Sequence, residues 1–147
     1  RRLVRIGNGE NLVDITYIDN AALAHVQAAD ELSSPGRCAG RAYFVSQGAP
    51  VKLWSWIGAG LARIGAPPVR RRLSHGAARC AGACMESLYR LLRIRTEPPM
   101  TRFLADQLAH DHYFDISAAR RDLGYEPKIS IEEGLERLKL WLFGEVS

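Results

Sequence analysis

Residues 7–25 constrain the fold of this chain more than any other segment. Two glycines precede residues 12–18, a short run rich in β-branched side chains, and this pattern predicts a strand that emerges from a turn. Asp19 or Asn20 follows the run, and either side chain can cap a helix by accepting a backbone N–H of its first turn. We therefore predict a strand that passes directly into an alanine-rich helix over residues 21–31.

Glycine, proline and capping signals divide the rest of the chain into further short elements. The predicted strands or extended segments are residues 42–46, 69–73 and 112–115. The predicted helices are residues 51–61, a longer helix from a Ser74 cap to about residue 92, residues 100–110, a short helix capped by Ser117 and ending at Gly124, and a final helix that begins with a capping box at Ser130.

Charge is distributed unevenly along the 147 residues, whose formal net charge is +4. A chain of this length ordinarily forms one domain with a real core. Arginines crowd residues 63–95, where Glu86 is the only acid. Such a segment can bind phosphate, nucleic acid or an anionic membrane surface. Because aromatic residues do not alternate with these arginines, we predict a solvated face and no nucleic-acid partner.

Three cysteines and the absence of a visible secretory signal favour a reduced, cytoplasmic setting. We expect Cys38, Cys80 and Cys84 to be buried or half-buried thiols. Cys80 and Cys84 share a helix face, but with His75 they lack the paired spacing of a zinc site, so no metal site is predicted. Charged side chains interrupt the apolar residues 77–92, which fall short of the ~20 apolar residues that a membrane-spanning helix needs.

One glycine-rich segment imitates a dinucleotide-binding turn. Residues 58–62 read Gly-Ala-Gly-Leu-Ala, but Arg63 stands at the position where the fingerprint has its last glycine. A true fingerprint follows a buried strand, whereas this segment follows the helical pattern around Trp54 and Trp56. We therefore predict that its small residues permit close helix packing and do not bind a cofactor.

Three segments resemble, in the same order, motifs of a known enzyme family. They are residues 7–25, residues 40–46 and residues 112–127. Together they resemble the extended short-chain dehydrogenase/reductases, and within them the 3β-hydroxysteroid dehydrogenase/isomerase-like branch. The resemblance implies an α/β fold, the C-terminal part of an extended Rossmann-type reductase, with few short strands and several helices. It further implies that residues 1–147 are the substrate-binding C-terminal portion, without the N-terminal nucleotide-binding half.

The same resemblance sets expectations for chemistry. Enzymes of this kind use NAD or NADP to interconvert a secondary alcohol and a ketone, with a Tyr-x-x-x-Lys pair for proton transfer. No tyrosine of this chain is followed four residues later by lysine. We therefore assign no catalytic and no cofactor-binding residue here, and expect the missing half to hold most of the cofactor. The fragment alone is expected to be inactive.

Four residues are predicted to bind substrate. Nucleotide-sugar enzymes of the superfamily place an arginine where Val13 stands, so this chain lacks a phosphate clamp and is expected to present an apolar wall. That difference favours an uncharged, hydrophobic substrate, sterol-like or a long-chain 3-hydroxy or 3-keto compound. Arg102 falls where a second phosphate-binding arginine often lies, although the 3β-hydroxysteroid branch has a similar run. Tyr17 and Asn20 are the other polar candidates, with a core ring and a helix cap as their structural alternatives.

Two other functions remain open at this point. One is a nucleotide-sugar epimerase or dehydratase, which Val13 disfavours. The other is a non-catalytic reductase-like module that binds or senses. The family resemblance also implies a homodimer and a peripheral, salt-sensitive contact with a membrane through residues 74–92, because the corresponding region of 3β-hydroxysteroid enzymes is apolar and membrane-associated.

Overall fold

A computed structural model describes residues 3–33 and 36–144. The described residues form short strands between helices, as the α/β prediction requires. The strands are β1 (Val4–Ile6), β2 (Leu12–Val13), β3 (Val51–Lys52) and β4 (Arg71–Leu73). The helices are α1 (Ile18–Leu32), α2 (Leu53–Arg63), α3 (His75–Leu91), α4 (Arg102–Gln107), α5 (Ser117–Leu123) and α6 (Ile131–Phe143).

The chain divides into two compact units. The first unit combines the described residues up to Val13 with Lys52–His112. In it β1 and β4 pair in parallel, with Ile6 opposite Leu73. Its core is a cluster of apolar side chains, in which the Trp54 indole N–H donates to the Leu108 carbonyl at 3.2 Å. The buried members are Ile6, Trp54, Ala78 and Ala105.

The second unit combines Asp14–Val51 with the described residues from Tyr113 onward. It contains α1, α5 and α6, and α1 and α5 contribute side chains to a second apolar cluster. Tyr125 is its largest fully buried side chain, and its hydroxyl donates to the Ser46 carbonyl at 3.0 Å. The Ser46 carbonyl thus provides a hydrogen-bond partner for the hydroxyl, which is the one polar group of this buried side chain. The other buried members are Ala24, Cys38, Ile116, Ala119 and Leu123.

The predicted strand over residues 42–46 is wrong, because this segment pairs with no strand of the described residues. Tyr43 and Val45 pack against the second core, so their apolar alternation reflects burial. Thr16 donates its hydroxyl to the Val45 carbonyl at 3.2 Å, and Phe44 stacks on Phe114. Side-chain contacts hold this segment in place of the backbone hydrogen bonds that a neighbouring strand would supply. The strand predicted over residues 12–18 is limited to β2 in the structure. Of the segment predicted over residues 112–115, His112 forms one isolated bridge.

Helix caps were predicted correctly at the start of α3 and α6 and at the end of α5. Ser74 accepts from Ala77 N, and Ser130 accepts from Glu133 N. Gly124 ends α5 in the left-handed conformation at φ +64°, as glycine permits. Ser117 lies inside α5 and does not cap it, since Ile116 is the residue before the helix.

The predicted cap of α1 is also wrong. The helix begins at Ile18, and Tyr17 precedes it without a side-chain cap. Asp19 and Asn20 therefore lie inside the first turn. The cysteine prediction holds for Cys38, which is buried, but Cys80 and Cys84 are exposed.

Candidate functional site

Arg102 is held at the start of α4 by a carboxylate from α3. Glu86 accepts from the Arg102 backbone N–H at 2.7 Å and from its Nε at 2.8 Å. Gly82, one turn earlier on α3, brings the two segments together, because a Cβ there would lie only 2.6 Å from the Thr101 carbonyl carbon. Thr101 caps α4 by accepting from Leu104 N. The arginine is thus anchored at both its backbone and its side chain.

This anchoring leaves the outer edge of the guanidinium available. In the described part of the chain the hydrogen bonds of Arg102 all go to Glu86, and none involves Nη1 or Nη2. About half of the side chain is exposed, at 54%. The pKa of Glu86 is held below its ordinary value, first by the Arg102 backbone N–H and then by the guanidinium, so the carboxylate stays charged. An arginine fixed at Nε with both Nη groups unused suits bidentate binding of a carboxylate or phosphate.

Tyr17 lies half-buried immediately before α1. Its ring packs on α6 at Gly134, where an added Cβ would come within 2.7 Å of the ring. The Arg137 guanidinium carbon lies 5.8 Å from the ring centroid, within cation–π range. Arg137 is itself held by Glu133 at 2.6 Å. These contacts fix the ring, and the contact between Tyr17 and substrate stays a prediction.

Asn20 is 1% exposed, and its amide joins three segments of the second unit. The nitrogen donates to Gln47 Oε1 at 2.6 Å and to the Ile129 carbonyl at 2.8 Å. The oxygen accepts from the backbone N–H groups of Lys128 and Ile129. An amide has two donor hydrogens and two acceptor lone pairs, so all four are used. Asn20 therefore orders the loop before α6, and a ligand contact at this residue stays a prediction.

Val13 is 3% exposed and forms a parallel bridge with His112 in the first unit. The next residue, Asp14, accepts from Phe114 N at 2.8 Å through Oδ2, whereas its buried Oδ1 has no partner among the described residues. Sequence analysis gave Asp14 no role, although a carboxylate directly after a strand is a signal worth testing. The apolar side chain at Val13 agrees with the absence of a phosphate clamp, and its contact with substrate stays a prediction.

The four predicted site residues divide between the units. Tyr17 and Asn20 lie at the start of α1 but contact different partners, and Val13 and Arg102 have separate partners in the first unit. The first unit also has a cavity of about 620 Å³ that sequence analysis missed. In the sequence its place is marked by the Pro67-Pro68 pair, which follows α2. The lining is apolar except for two arginines, and comprises Leu3, Leu61, Ala66, Pro67, Pro68, Val69, Arg70 and Arg71.

Neither of two glycine pairs in the described residues forms a dinucleotide-binding turn. Gly58 and Gly60 lie within α2, where their N–H groups belong to the helix and cannot surround a pyrophosphate. Gly7 and Gly9 follow a strand, but β2 and not a helix comes next. The prediction that residues 58–63 belong to a helix is thus confirmed, but the close packing expected at the small residues is not seen at Gly58, where an added Cβ would meet no atom within 4 Å. The chain's own residues supply no pyrophosphate site among those described.

Comparison with known proteins relates the sequence to a family. The profile of the 3-beta hydroxysteroid dehydrogenase/isomerase family matches residues 1–68. A 2-alkyl-3-oxoalkanoate reductase from Stenotrophomonas maltophilia is 51% identical over 138 residues, covering 94% of this chain and 42% of that protein. The reductase of the same name from Shewanella oneidensis is 50% identical over 139 residues, covering 94% and 36%.

A more distant relative is the sterol-4-alpha-carboxylate 3-dehydrogenase of Schizosaccharomyces pombe, 32% identical over 140 residues, which cover 94% of this chain and 41% of that protein. The chain spans about two fifths of the length of these curated relatives. Among solved structures, UDP-glucuronic acid 4-epimerase from Bacillus cereus, in complex with NAD, superposes with a TM-score of 0.57 at 17% identity over 100% of this chain and 36% of that one. The structure of gox2253 gives 0.58 at 19%, over 98% and 41%. At such identity these structures show the fold alone, that of an extended Rossmann-type reductase.

Proposed function

We propose that this chain belongs to the 3-beta hydroxysteroid dehydrogenase/isomerase family, whose profile matches residues 1–68, and that it is the substrate-binding C-terminal portion of an NAD(P)-dependent oxidoreductase. The reaction interconverts a secondary alcohol and a ketone on a hydrophobic substrate. The similarity to named reductases over 94% of the chain supports this assignment. Residues 1–147 then form pocket walls, and the nucleotide-binding half lies outside them.

The relatives' names share a chemical feature that narrows the substrate class. A 2-alkyl-3-oxoalkanoate and a sterol 4-carboxylate oxidised at carbon 3 both carry a carboxylate beside the reacting carbon–oxygen group. We propose the same class here, an apolar 3-oxo or 3-hydroxy carboxylate. The observation that carries the proposal is Arg102, whose Nε is fixed by Glu86 while both Nη groups are unused. A guanidinium edge of this kind matches one carboxylate, and Val13 offers no second cation for a diphosphate.

In this proposal the cofactor is bound mainly by the part of the protein outside residues 1–147. When bound, NAD(P) supplies or accepts the hydride at the reacting carbon. Within this chain we assign Arg102 to the orientation of the substrate carboxylate, and contacts of Val13 and Tyr17 with substrate stay predictions. Asn20 orders the loop before α6 through its hydrogen bonds to Lys128 and Ile129. No residue of the chain is assigned to proton transfer.

The test compares two substrates in one enzyme. The protein encoded by the complete reading frame is assayed for NADH- or NADPH-dependent reduction of a 2-alkyl-3-oxoalkanoate and of its methyl ester. In Arg102→Gln we expect kcat/KM for the carboxylate to fall about 10- to 100-fold, the value of a charge-assisted hydrogen-bonded pair. The value for the ester is expected to change little. Arg95→Gln, an exposed arginine outside the site, is the matched control.

Two results would contradict the proposal at different levels. Equal losses for acid and ester would mean that Arg102 only maintains structure. No reduction of either compound by the complete protein would remove the oxidoreductase assignment. The chain of residues 1–147 by itself is expected to leave NAD(P)H fluorescence unchanged on titration, and saturable binding would place the cofactor site within it.

We also propose a cytoplasmic homodimer with a peripheral membrane contact. None of the described helices is long and apolar enough to cross a membrane. Leu88, Leu91 and Leu92 are exposed at the end of α3, and Arg90 and Arg93 flank the last two, a combination suited to the surface of an anionic bilayer. Sedimentation equilibrium of the complete protein measures the dimer.

A further inference from the structure

Two histidines and an aspartate meet in the first unit, away from Arg102's contacts with Glu86. His75 is the first residue of α3, Asp106 lies in the last turn of α4, and His110 follows that helix. The His75 Nε2 lies 2.6 Å from Asp106 Oδ1, and the two imidazole rings meet edge to face with centroids 4.5 Å apart. One ligand atom from each residue lies within 4.8 Å of the others.

The local fold positions all three side chains. Asp106 and His110 are four residues apart, which places them on one side of the turn that ends α4. Arg79, four residues after His75 on α3, binds Asp106 Oδ2. Oδ1 is therefore the oxygen that faces the histidines. Arg79 fixes the carboxylate from behind, in the way that a hydrogen-bonded outer group orients a metal ligand.

We propose that His75, Asp106 and His110 bind one divalent transition-metal ion, with zinc as the ion best matched to the donors. Imidazole nitrogen and carboxylate oxygen bind Zn²⁺ at about 2.0–2.2 Å, and three protein ligands with one water complete a tetrahedron. In such a tetrahedron the donors are roughly 3.4 Å apart. To reach this spacing, His75 Nε2 and Asp106 Oδ1, which are 2.6 Å apart, must separate, and donors as far as 4.8 Å apart must approach by side-chain rotation. Within residues 3–33 and 36–144 it is the one group of three such side chains with this geometry.

Charge sets the strength of the site. The metal would be bound by two imidazoles and one carboxylate. The Arg79 cation partly neutralises the negative charge of that carboxylate and so weakens its attraction for the metal. Zinc binding is therefore expected to be weaker than in thiolate sites. The contacts of His75 and Arg79 with Asp106 can also be explained without a metal, as ion pairs with the Asp106 carboxylate. His110 Nδ1 lies 3.2 Å from the Asp106 carbonyl oxygen, which explains its position without a metal as well, so metal binding by a His110 variant is the measurement that distinguishes the two interpretations.

The experiment removes competing thiols first. Cys80 and Cys84 are exposed and one turn apart on α3, so they could bind metal by themselves. The chain is therefore prepared as Cys80→Ser/Cys84→Ser. Zn²⁺ is titrated by calorimetry and Co²⁺ by visible absorption, because tetrahedral Co²⁺ gives d–d bands that reveal nitrogen and oxygen ligands. We expect one ion per chain.

His110→Ala and Asp106→Asn in this background are expected to weaken metal binding at least about tenfold, as loss of a ligand should exceed loss of an outer partner. His110 is exposed, so its variant should remain folded, which circular dichroism checks. His25→Ala, an exposed histidine outside the cluster, is the control and should bind as the parent does. Unchanged affinity in His110→Ala, equal weakening in His25→Ala, or no tetrahedral Co²⁺ spectrum would each overturn the proposal.

Discussion

At the scale of single residues, Asp122 shows how a buried charge is kept in the second unit. The residue is 5% exposed, yet its carboxylate accepts from Arg121 Nε at 2.8 Å, from the Tyr43 hydroxyl at 3.0 Å and from Arg41 at 3.3 Å. Three donors compensate for lost hydration. The Arg121 hydrogen bond, with that of Tyr43, holds the pKa of Asp122 below its ordinary value of 3.8 against the opposing effect of burial.

This lowered pKa predicts a particular loss of stability in acid. A carboxyl whose pKa is lower in the folded state stabilises the fold above its unfolded pKa, and that contribution disappears as pH falls through the folded pKa. The free energy of unfolding of the parent should therefore decline from near pH 4 downward more steeply than that of Asp122→Asn. Urea unfolding between pH 7 and pH 3 measures both slopes.

Asp122→Asn is also expected to be less stable than the parent at pH 7, because it loses the charged acceptor for Arg121 and Arg41. Glu126→Gln is the control, since that carboxylate is 70% exposed in its pair with Arg120. Its pH profile should follow the parent. Parallel acid slopes for Asp122→Asn and the parent would show that Asp122 does not titrate as proposed.

At the scale of elements, the contact between α3 and the start of α4 depends on one missing side chain. Gly82 lies in the middle of α3, where glycine ordinarily weakens a helix. A Cβ at this position would lie 2.6 Å from the Thr101 carbonyl carbon and 2.7 Å from Arg102 N, both backbone atoms. Helix propensity is therefore outweighed by packing. The same contact sets the position from which Glu86 reaches Arg102.

Two glycine substitutions on α3 separate these effects. Gly82→Ala is expected to destabilise the chain by about 1–3 kcal/mol, the usual cost of overpacking. Gly76→Ala on the same helix meets no atom within 4 Å and should be neutral or stabilising by up to about 1 kcal/mol. Thermal and urea unfolding of the two variants give the comparison. A stable Gly82→Ala variant would mean that α4 moves away without cost.

At the scale of the whole molecule, large apolar side chains remain exposed on the first unit. Leu91 is 80% exposed and Leu92 is 59% exposed at the end of α3. Arginines flank them, so apolar insertion and attraction to anionic lipid would act at the same place. The charged residues within α3 make integral insertion unfavourable. Any membrane association is therefore expected to be superficial.

Vesicle sedimentation tests this expectation. The chain should bind vesicles containing anionic lipid at low salt, and should be released at high salt because screening weakens surface attraction. Arg90→Gln/Arg93→Gln is expected to reduce binding, whereas Arg70→Gln/Arg71→Gln, a pair outside α3, serves as the matched control. Binding that survives high salt would indicate deeper apolar insertion. No binding at low salt would leave the arginines as a solvated face.

The amino-acid sequence by itself determined the elements whose signals are local. Ser74 and Ser130 cap helices through backbone groups three residues away, and Gly124 ends α5 because glycine tolerates positive φ. These effects act within one turn, so neighbouring residues suffice to predict them. The family resemblance likewise depends on ordered local motifs and indicated the reductase fold.

Only the tertiary structure decided how distant residues meet. Asn20 satisfies its amide through Ile129, 109 positions away, so a residue that looks like a cap becomes a loop anchor. Residues 42–46 form an irregular segment. Thr16 donates a hydrogen bond to the Val45 carbonyl, and Tyr43 and Val45 pack against the second core, without a partner strand. His75 meets Asp106 and His110 through the packing of α3 on α4. Sequence separation conceals such contacts, since burial and hydrogen bonding depend on distance in space and not along the chain.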